Sequence, residues 1–306
     1  MTTGCYLFIS PHLDDVALSC GGYIRRLAEA GECVVVVTVA TADLREGSIL
    51  WLAHRNHMAW HAGEAPFALR RLEDEASVNA LGATHLHLGL LDAMYRRDEA
   101  GRPLYVTGTT GVSVHPHEWQ HHEPAVRQSL GQVLRVWGDG DARVFSPLGV
   151  GGHVDHIIVR RAVESLWDPS GISYYEDYPY AGRPGAIQSQ LVHDRQTRRW
   201  HATTIELSPL EIEARVNAVA CHVSQLPGLF PSPLERLLEI ARARLPFLSR
   251  YVDRWPSQDV SRHRMASSIR AYVNKVGGER YWECLDDREQ DSHAAENAKK
   301  GGTVAR

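Results

Sequence analysis

The run Cys33-Val34-Val35-Val36-Val37-Thr38-Val39 has β-branched residues at most positions and no alternation of apolar and polar side chains. Such a run is typical of a strand covered on both faces, as in a parallel sheet with helices on each side. Other short apolar segments lie before and after it, at Tyr6 to Ile9, His85 to Leu88, Arg143 to Phe145 and Ile172 to Tyr175. The sequence therefore predicts five strands of one sheet.

Segments with helical periodicity separate these strands. They are Val16 to Gly31, Ala68 to Leu81, Val126 to Trp137 and His156 to Trp167. Strands that alternate with helices predict an α/β fold, here a Rossmann-like, doubly wound and mostly parallel sheet with helices on both faces.

Two inserted segments interrupt the alternation. Residues 94–124 are rich in Gly, Thr and His and lack clear periodicity, which favours a lid-like segment beside a site. Residues 226–276 include an amphipathic basic stretch at 234–245, for which a solvated surface helix is the simpler interpretation. Tyr281 to Leu285 is predicted to return to the sheet as an edge strand.

This pattern divides the chain into three parts. Residues 1–225 form the predicted α/β domain, and residues 226–290 a helical insert that returns to the same domain. Residues 291–306 are polar and are predicted to be a disordered tail.

Composition limits the classes of partner. The 306 residues include 33 Lys and Arg against 37 Asp and Glu, a formal net charge of -4, so nothing supports nucleic acid or an anionic membrane as the main partner. The longest apolar stretch, 33–42, is far shorter than the roughly 20 residues that span a bilayer. The first residues lack a basic signal region, and we expect a cytoplasmic protein.

The five cysteines support the same location. Their number is odd and no Cys-x-x-Cys spacing occurs, which favours a reducing compartment without a disulfide framework. Each lies in an apolar run, and we interpret all five as small buried apolar residues. They are Cys5, Cys20, Cys33, Cys221 and Cys284.

The first predicted strand ends in Ser10-Pro11-His12-Leu13-Asp14-Asp15. In open α/β sheets, ligands bind at the carboxyl ends of the strands. His12 and Asp15 are three residues apart and can converge on one ion from a tight turn. Asp14 then faces a bound water, where it can act as a general base.

A second cluster follows the fourth strand, in Gly151-Gly152-His153-Val154-Asp155-His156. His153 and His156 can share one helix face, and Asp155 can accept a hydrogen bond from a ring nitrogen. A single His-x-x-His pair is usually structural. Two such clusters at strand ends, in a chain with 17 His, favour a metal-dependent hydrolase.

These residues resemble the LmbE-like (PIG-L) family of zinc-dependent N-acetylglucosamine deacetylases, whose motifs are Pro-His-Pro-Asp-Asp-Glu and His-Pro-Asp-His. The resemblance covers most of the first 225 residues. It continues in Ser19-Cys20-Gly21-Gly22, Arg70-Arg71-Leu72-Glu73-Asp74, Leu88-Gly89-Leu90-Leu91-Asp92-Ala93 and His222-Val223-Ser224-Gln225, the last of which resembles the closing helix of the family.

The resemblance implies a metal centre and a reaction. By position, His12, Asp15 and His156 correspond to the zinc ligands, and Asp14 to the general base. Fe²⁺ or another divalent metal is the alternative to Zn²⁺. The implied reaction is hydrolysis of the N-acetyl amide of an N-acetylglucosamine-type sugar conjugate, which releases acetate and a free amino sugar.

The resemblance also implies an acid and a sugar site. His153 corresponds to the general acid, supported by Asp155, while Arg70 and Asp92 correspond to residues that hold sugar hydroxyls. Zinc would lower the pKa of a bound water to about 7 and polarise the carbonyl.

The sequence departs from the family motifs at non-ligand positions. Leu13 and Val154 replace the motif prolines, and Val16 replaces the glutamate. Gly151 stands where some members have a carbonyl-polarising Tyr, so another Tyr, or none, takes that part. The aromatic segment 174–180 could supply it, and ordinary packing of these Tyr residues is an equal alternative.

The substrate is the least determined feature. The family acts on N-acetylglucosamine joined to lipids, inositol, thiol carriers and antibiotic cores. We favour a glycoside of antibiotic or other secondary metabolism, with an amidase of a thiol or other conjugate as the alternative. The segments 94–124 and 226–276 would select the conjugate.

Three other interpretations are open. A non-haem Fe(II) enzyme would use His12, Asp14 and His156, but such enzymes usually have all-β barrels. A nucleotide-binding Rossmann protein would use Gly21-Gly22, which lack the Gly-x-Gly-x-x-Gly turn. A non-catalytic carbohydrate-binding protein would not need the complete set of ionisable residues.

Overall fold

A seven-stranded sheet forms the centre of the molecule. The structure is a computed structural model that describes residues 4–43, 66–106, 108–138, 142–194, 198–232 and 258–285. The strand order is β3-β2-β1-β4-β5-β7-β6. The strands are β1 (Tyr6–Ser10), β2 (Val34–Ala40), β3 (Thr84–Leu90), β4 (Arg143–Pro147), β5 (Ile172–Tyr175), β6 (Arg199–Ile205) and β7 (Glu279–Leu285).

Helices connect the strands and cover both faces of the sheet. They are α1 (Asp15–Glu29), α2 (Pro66–Leu81), α3 (Glu123–Trp137), α4 (Val154–Leu166), α5 (Ala186–Asp194), α6 (Pro209–Ala220), α7 (Leu226–Leu229) and α8 (Gln258–Val276). Short 3₁₀ turns lie at Ala93–Tyr95, Pro169–Gly171 and Tyr180–Gly182, and a π-helical turn at Glu118–His122 precedes α3. The predicted doubly wound α/β fold is confirmed.

Strands β1 to β5 are parallel, and β1 lies between β2 and β4. The direction of winding therefore reverses between β1 and β4, which is where doubly wound sheets bind their ligands. Both sequence clusters begin at the carboxyl ends of these two strands.

The core consists of a layer on each face of the sheet. Along β1, Phe8 belongs to one buried cluster, while Leu7 and Ile9 belong to the other. In β2, Val36 packs on the first face and Val35 on the second, and all seven residues of the strand are buried. Burial on both faces explains why this strand has no apolar–polar alternation.

The last two strands differ from the prediction. Strand β7 is not at an edge, because it pairs antiparallel with both β5 and β6, and β6 is the edge strand. Strand β6 was not predicted: most of its residues are exposed, so its sequence Arg-Trp-His-Ala-Thr-Thr-Ile carries no core-facing pattern.

The expectation of five unpaired, buried cysteines was wrong for four of them, because Cys5 and Cys33 are paired and Cys221 and Cys284 are only half-buried. Cys5 and Cys33 form a disulfide, with Cα atoms 4.8 Å apart. Each directly precedes a strand, and Tyr6 pairs with Val34 in the β1–β2 register, so the sheet itself brings the two cysteines side by side. Cys20 is buried, as expected. The cytoplasmic location stays a prediction, without the support of unpaired cysteines.

Helix α1 is held from the side by residues that come late in the chain. Arg215 of α6 donates to the backbone carbonyl of Leu18, and Glu279 of β7 accepts from the backbone N–H groups of Gly22 and Tyr23, each at 2.9 Å. Arg215 and Glu279 also form a buried ion pair. A Cβ at Gly22 would lie 2.5 Å from Leu207, so glycine permits this close approach.

The inserted segments are described only in part. Within 94–124, of which Thr107 is not described, residues 109–111 pair with the second sequence cluster: Gly111 N donates to Gly152 O, and Val154 N to Thr109 O, both at 2.9 Å. Helix α8 occupies the end of 226–276. The predicted helix at 234–245 and the tail at 291–306 lie outside the described residues. Among the helices that the structure describes, each is too short or too polar to cross a membrane.

Candidate metal centre

The turn after β1 is fixed by its backbone. The Pro11 carbonyl accepts from Ala40 N at 2.9 Å, and Ser10 Oγ donates to the His12 carbonyl at 2.6 Å. Leu13, which replaces a motif proline, is buried against Phe67 and Tyr95. Packing of Leu13 therefore restrains the turn where the family motif has a proline ring.

Asp15 joins the two sequence clusters. Its Oδ2 lies 3.0 Å from His12 Nδ1 and 3.3 Å from His156 Nε2. Two donors bound to one tetrahedral Zn²⁺ at about 2.0–2.2 Å are separated by about 3.3 Å. Each of these two separations is close to that of neighbouring ligands on one ion, and ligand atoms of His12, His153 and His156 also lie within 4.8 Å of one another.

His156 provides the clearest indication of a cation. The side chain is fully buried, and its Nε2 makes no hydrogen bond in the described structure, although Asp15 Oδ2 lies 3.3 Å away. Its other nitrogen, Nδ1, lies 2.6 Å from Asp177 Oδ1, which fixes the ring. A buried nitrogen without a partner is costly, and a metal ion would satisfy it.

Asp155 supports His12 rather than His153. Its Oδ2 lies 3.0 Å from His12 Nε2 and accepts from Ala93 N at 2.9 Å. Its Oδ1 lies 2.5 Å from Arg96 Nη2. The expected support of His153 by this carboxylate is replaced by a carboxylate–imidazole contact behind a predicted ligand, an arrangement that orients metal-binding histidines.

His153 has a different environment. Its Nδ1 accepts from the backbone N–H of Asp155 at 3.2 Å, so the ring proton is on Nε2, which lies 2.7 Å from Thr109 Oγ1. Burial and the nearby His12 hold the pKa of His153 well below its usual value. The centroid of its ring lies 4.6 Å from the centroid of the His12 ring.

Asp14 is buried beside this group. Its Oδ2 lies 3.8 Å from Arg70 Nη2. Burial and the charge of Asp15 raise the pKa of Asp14 to about 7, although Arg70 and His12 act in the opposite direction.

The ionisable groups share an excess of negative charge. Burial opposes the charge on His12, yet Asp15, Asp155 and Asp92 together raise its pKa well above its usual value. Burial similarly opposes the charge on His156, but Asp15 and Asp177 raise its pKa to about 9. The carboxylates thus favour positive charge between the imidazoles, as a divalent cation would provide.

The predicted sugar-binding residues also reach the centre. Arg70 approaches Asp14, and Asp92 Oδ2 lies 3.6 Å from His12 Nε2. Asp92 Oδ1 accepts from Met94 N at 2.9 Å, which fixes the carboxylate at the start of a 3₁₀ turn. All eight site residues predicted from the sequence therefore lie together at the carboxyl ends of the parallel strands.

Tyr180 occupies the space beside Gly151. A Cβ at Gly151 would lie within 2.7–2.9 Å of Tyr180, and the backbone φ of Gly151 is +89°, which favours glycine. The Tyr180 ring is 6.1 Å from that of His156, and its hydroxyl is hydrogen-bonded to Thr110. Within the aromatic segment 174–180, Tyr180 is thus the residue beside the predicted ligand.

Three further residues were not found from the sequence. Asp177 follows β5 by two residues, and its place after a strand end is a signal that could have identified it. Arg96 and Glu118 lie in the 94–124 insert, where Arg96 Nε donates to Glu118 Oε1 at 2.8 Å. Their pairing connects positions 22 residues apart and has no local sequence signal.

Comparison with protein families identifies the chain. Residues 7–167, more than half of the chain, match the family described as PIG-L, GlcNAc-PI de-N-acetylase. The chain belongs to the PIG-L family. The matched range contains both metal-centre clusters and the 94–124 insert.

Two curated relatives are similar in sequence. The chain is 32% identical over 192 residues to 2'-N-acetylparomamine deacetylase of Streptomyces fradiae, covering 60% of each protein. It is 27% identical over 225 residues to 1D-myo-inositol 2-acetamido-2-deoxy-alpha-D-glucopyranoside deacetylase of Rhodococcus opacus (strain B4), covering 72% of this chain and 66% of that protein. The chain thus spans less than two thirds of either relative.

Solved structures support the fold. The zinc-inhibited form of teicoplanin deacetylase superposes with a TM-score of 0.65 at 24% identity, covering 92% of this chain and 99% of that one. The A40926 pseudoaglycone deacetylase gives a TM-score of 0.59 at 22% identity, with 93% and 98% coverage. At these identities the likeness establishes the shared α/β architecture.

Proposed function

We propose that this protein is a metal-dependent N-deacetylase. It hydrolyses the N-acetyl amide of an N-acetylglucosamine-type sugar conjugate and releases acetate and a free amino sugar. The observation that carries the proposal is the division of the motif carboxylates: Asp15 contacts both His12 and His156, while Asp14, buried beside them, faces Arg70.

Zn²⁺ is the proposed metal, with His12, Asp15 and His156 as its ligands. When bound, zinc lowers the pKa of a coordinated water and polarises the amide carbonyl. Two imidazoles and one carboxylate with an open position are the ligand set of catalytic zinc sites. Fe²⁺ or another divalent ion is the alternative, because the same donors accept it.

Asp14 is the proposed general base. It accepts a proton from the attacking water and, once protonated, can pass it to the leaving nitrogen of the amide. Arg70, 3.8 Å from Asp14, orients the carboxylate and reaches the sugar side of the pocket.

His153 and Tyr180 are the proposed donors to the oxygen that becomes negative as water adds to the carbonyl. The His153 ring is fixed by Asp155 N, its Nε2–H lies beside Thr109 Oγ1 at 2.7 Å, and the Tyr180 hydroxyl lies at Thr110. The sequence-based alternative has a charged His153 protonating the amine. In that case, replacing His153 by Gln would abolish turnover mainly for substrates with poor amine leaving groups.

Arg70 and Asp92 are the proposed ligands of the sugar hydroxyls, since both lie within 4 Å of residues of the centre. The insert 94–124 is the proposed wall for the rest of the conjugate, because residues 109–111 pair with the backbone at 152–154.

We propose a glycoside of antibiotic or other secondary metabolism as the substrate. The relative that is 32% identical is named for an acetylated paromamine, an amino sugar of that kind. The 27% identical relative is named for an inositol-linked acetamido sugar, so an inositol, thiol or other conjugate is the alternative.

The competing functions fit the geometry less well. A non-haem Fe(II) site would need Asp14 as the carboxylate ligand, but Asp15 is the carboxylate that contacts both histidines. A non-catalytic carbohydrate-binding protein would not need two buried imidazoles on either side of one carboxylate.

The test is acetate release from a panel of N-acetylated amino-sugar conjugates, with and without chelator. In Asp14→Asn we expect turnover to fall at least 10²-fold, because the base is lost, while bound zinc stays at wild-type level. Asp168→Asn, in an exposed turn, is the matched control. Full activity of Asp14→Asn would refute its role as base, and chelator-resistant acetate release would refute the metal mechanism.

A further inference from the structure

A second group of metal-ligating side chains lies away from the candidate metal centre, on the 94–124 insert. Glu99, His117 and His121 each present one ligand atom, and these atoms lie within 4.8 Å of one another. The rings of His117 and His121 are stacked, with centroids 4.1 Å apart and planes at 29°. We propose that these three residues bind a second divalent transition-metal ion.

The local sequence explains the geometry. His117-Glu118-Trp119-Gln120-His121 begins a helical segment that continues into α3 through the π-helical turn. Two histidines four residues apart on a helix share one face and can bind the same ion. Glu99 comes from a separate turn, so the three ligands are not merely neighbours in the chain.

The same five residues match His-Glu-x-x-His, a pattern in which the glutamate usually acts as a general base beside zinc. Here Glu118 is fully buried, and its Oε1 accepts from Arg96 Nε at 2.8 Å. The carboxylate therefore belongs to the network behind Asp155. The group therefore has the two imidazoles of that motif, but the motif glutamate is held by Arg96 and is not available as a base. We infer a site that binds a metal ion and does not catalyse hydrolysis.

The donor set defines the class of ion. Two imidazoles and one carboxylate favour Zn²⁺, Ni²⁺ or Cu²⁺ over Ca²⁺ and Mg²⁺, which prefer oxygen ligands. Glu99 and His121 are exposed and His117 is half-buried, so water can complete the coordination and the ion can exchange with solvent.

A metal ion bound at this second site would connect two parts of the insert 94–124. Glu99 lies in the turn that Asp98 and Arg102 close with a backbone hydrogen bond of 2.9 Å. His117 and His121 flank Glu118, which holds Arg96 against Asp155. An ion at this site would therefore restrain the helical turn that carries Glu118, next to the candidate metal centre.

The test is zinc stoichiometry of metal-free protein, measured by calorimetric titration and by metal analysis after desalting. We expect two equivalents in wild type and one in His117→Ala/His121→Ala. His201→Ala is the matched control, because His201 is an exposed histidine of β6 and is not one of the three ligands; it should keep two. Equal stoichiometry in wild type and His117→Ala/His121→Ala would overturn the proposal.

A second background separates this site from the proposed function. His12→Ala/His156→Ala removes two ligands of the candidate metal centre, and one equivalent should remain. Retention of that equivalent supports the second site whether or not the protein is a deacetylase. Its absence from this correctly folded background refutes the second site. If the background does not fold, the comparison of wild type with His117→Ala/His121→Ala decides alone.

Discussion

Replacement of Asp177 tests how the candidate metal centre is positioned. Asp177 contacts the predicted ligand His156 and is not itself a predicted ligand. Its Oδ1 lies 2.6 Å from His156 Nδ1, and its Oδ2 accepts from Val150 N at 2.7 Å. The residue is 1% exposed. Replacement by Asn keeps the shape but leaves only one acceptor atom, so either His156 or Val150 loses its partner.

The expected cost follows from these contacts. Loss of a carboxylate behind a metal-binding histidine typically weakens metal binding about 10- to 100-fold. Since both oxygens of Asp177 are used and water cannot replace them, we expect the upper end, about 100-fold or ~2.7 kcal/mol. Deacetylase activity at saturating zinc should recover to near the wild-type rate, because the ligand itself is retained.

The measurement is zinc affinity by competition with a chromophoric chelator. It is made in His117→Ala/His121→Ala protein, so that only the candidate metal centre is titrated. Asp168→Asn, which removes an exposed carboxylate that accepts from Ser170 N, is the control for the substitution. An affinity of Asp177→Asn within twofold of its parent would show that Asp177 does not orient His156, and the reasoning would fail.

Two more predictions follow from other parts of the structure. Tyr180→Phe should lower kcat about 10- to 100-fold with little change in KM, because only a donor to the developing oxyanion is lost; a change confined to KM would assign Tyr180 to substrate binding. Burial lowers the pKa of His222 from 6.5 to about 4, so the unfolded state takes up the proton first and stability is lost as pH falls from about 6.5 to 4. In His222→Leu, the fall in unfolding free energy between pH 7 and 4 should shrink by about 3 kcal/mol, measured by urea denaturation; an unchanged fall would mean that His222 is not the group that titrates.

Periodicity predicted the parallel half of the fold well. Strands β1, β2 and β5 and helix α1 were located within about two residues, because their apolar residues face a core that local sequence can reveal. Among the described strands, β6 pairs only with β7, about 80 residues later, and exposes most of its side chains. No local pattern distinguishes such an edge strand from a loop, and the position of β7 depends on that missed pairing.

The segment His222 to Gln225, which resembles the closing helix of the family, also differs from its prediction. Helix α6 ends at Ala220, so His222 to Gln225 lie in the turn that follows it. Ser224 donates from its N and Oγ to Glu73 of α2, at 2.8 and 2.6 Å. The motif therefore fastens the helix end to α2, a contact that the sequence alone does not specify.

The grouping of residues at the candidate metal centre was predictable where those residues are local. His12 and Asp15, and His153 and His156, lie three residues apart after adjacent strands, and strand order brings the pairs together. Asp177 and Arg96 act through partners remote in sequence. Asp155 contacts His12 and not His153 because of a hydrogen bond between the ends of two strands, and no sequence motif predicts that contact.

The side contacts on helix α1 bear on the order in which the molecule is made. The residues that anchor the helix of Asp15, Arg215 and Glu279, are synthesised about 200 and 260 residues after it. Until then, the buried N–H groups of Gly22 and Tyr23 lack the Glu279 carboxylate. The turn that carries the predicted ligands is thus completed late, and a nascent chain that stops short of β7 would present it on a helix that lacks the Glu279 contacts.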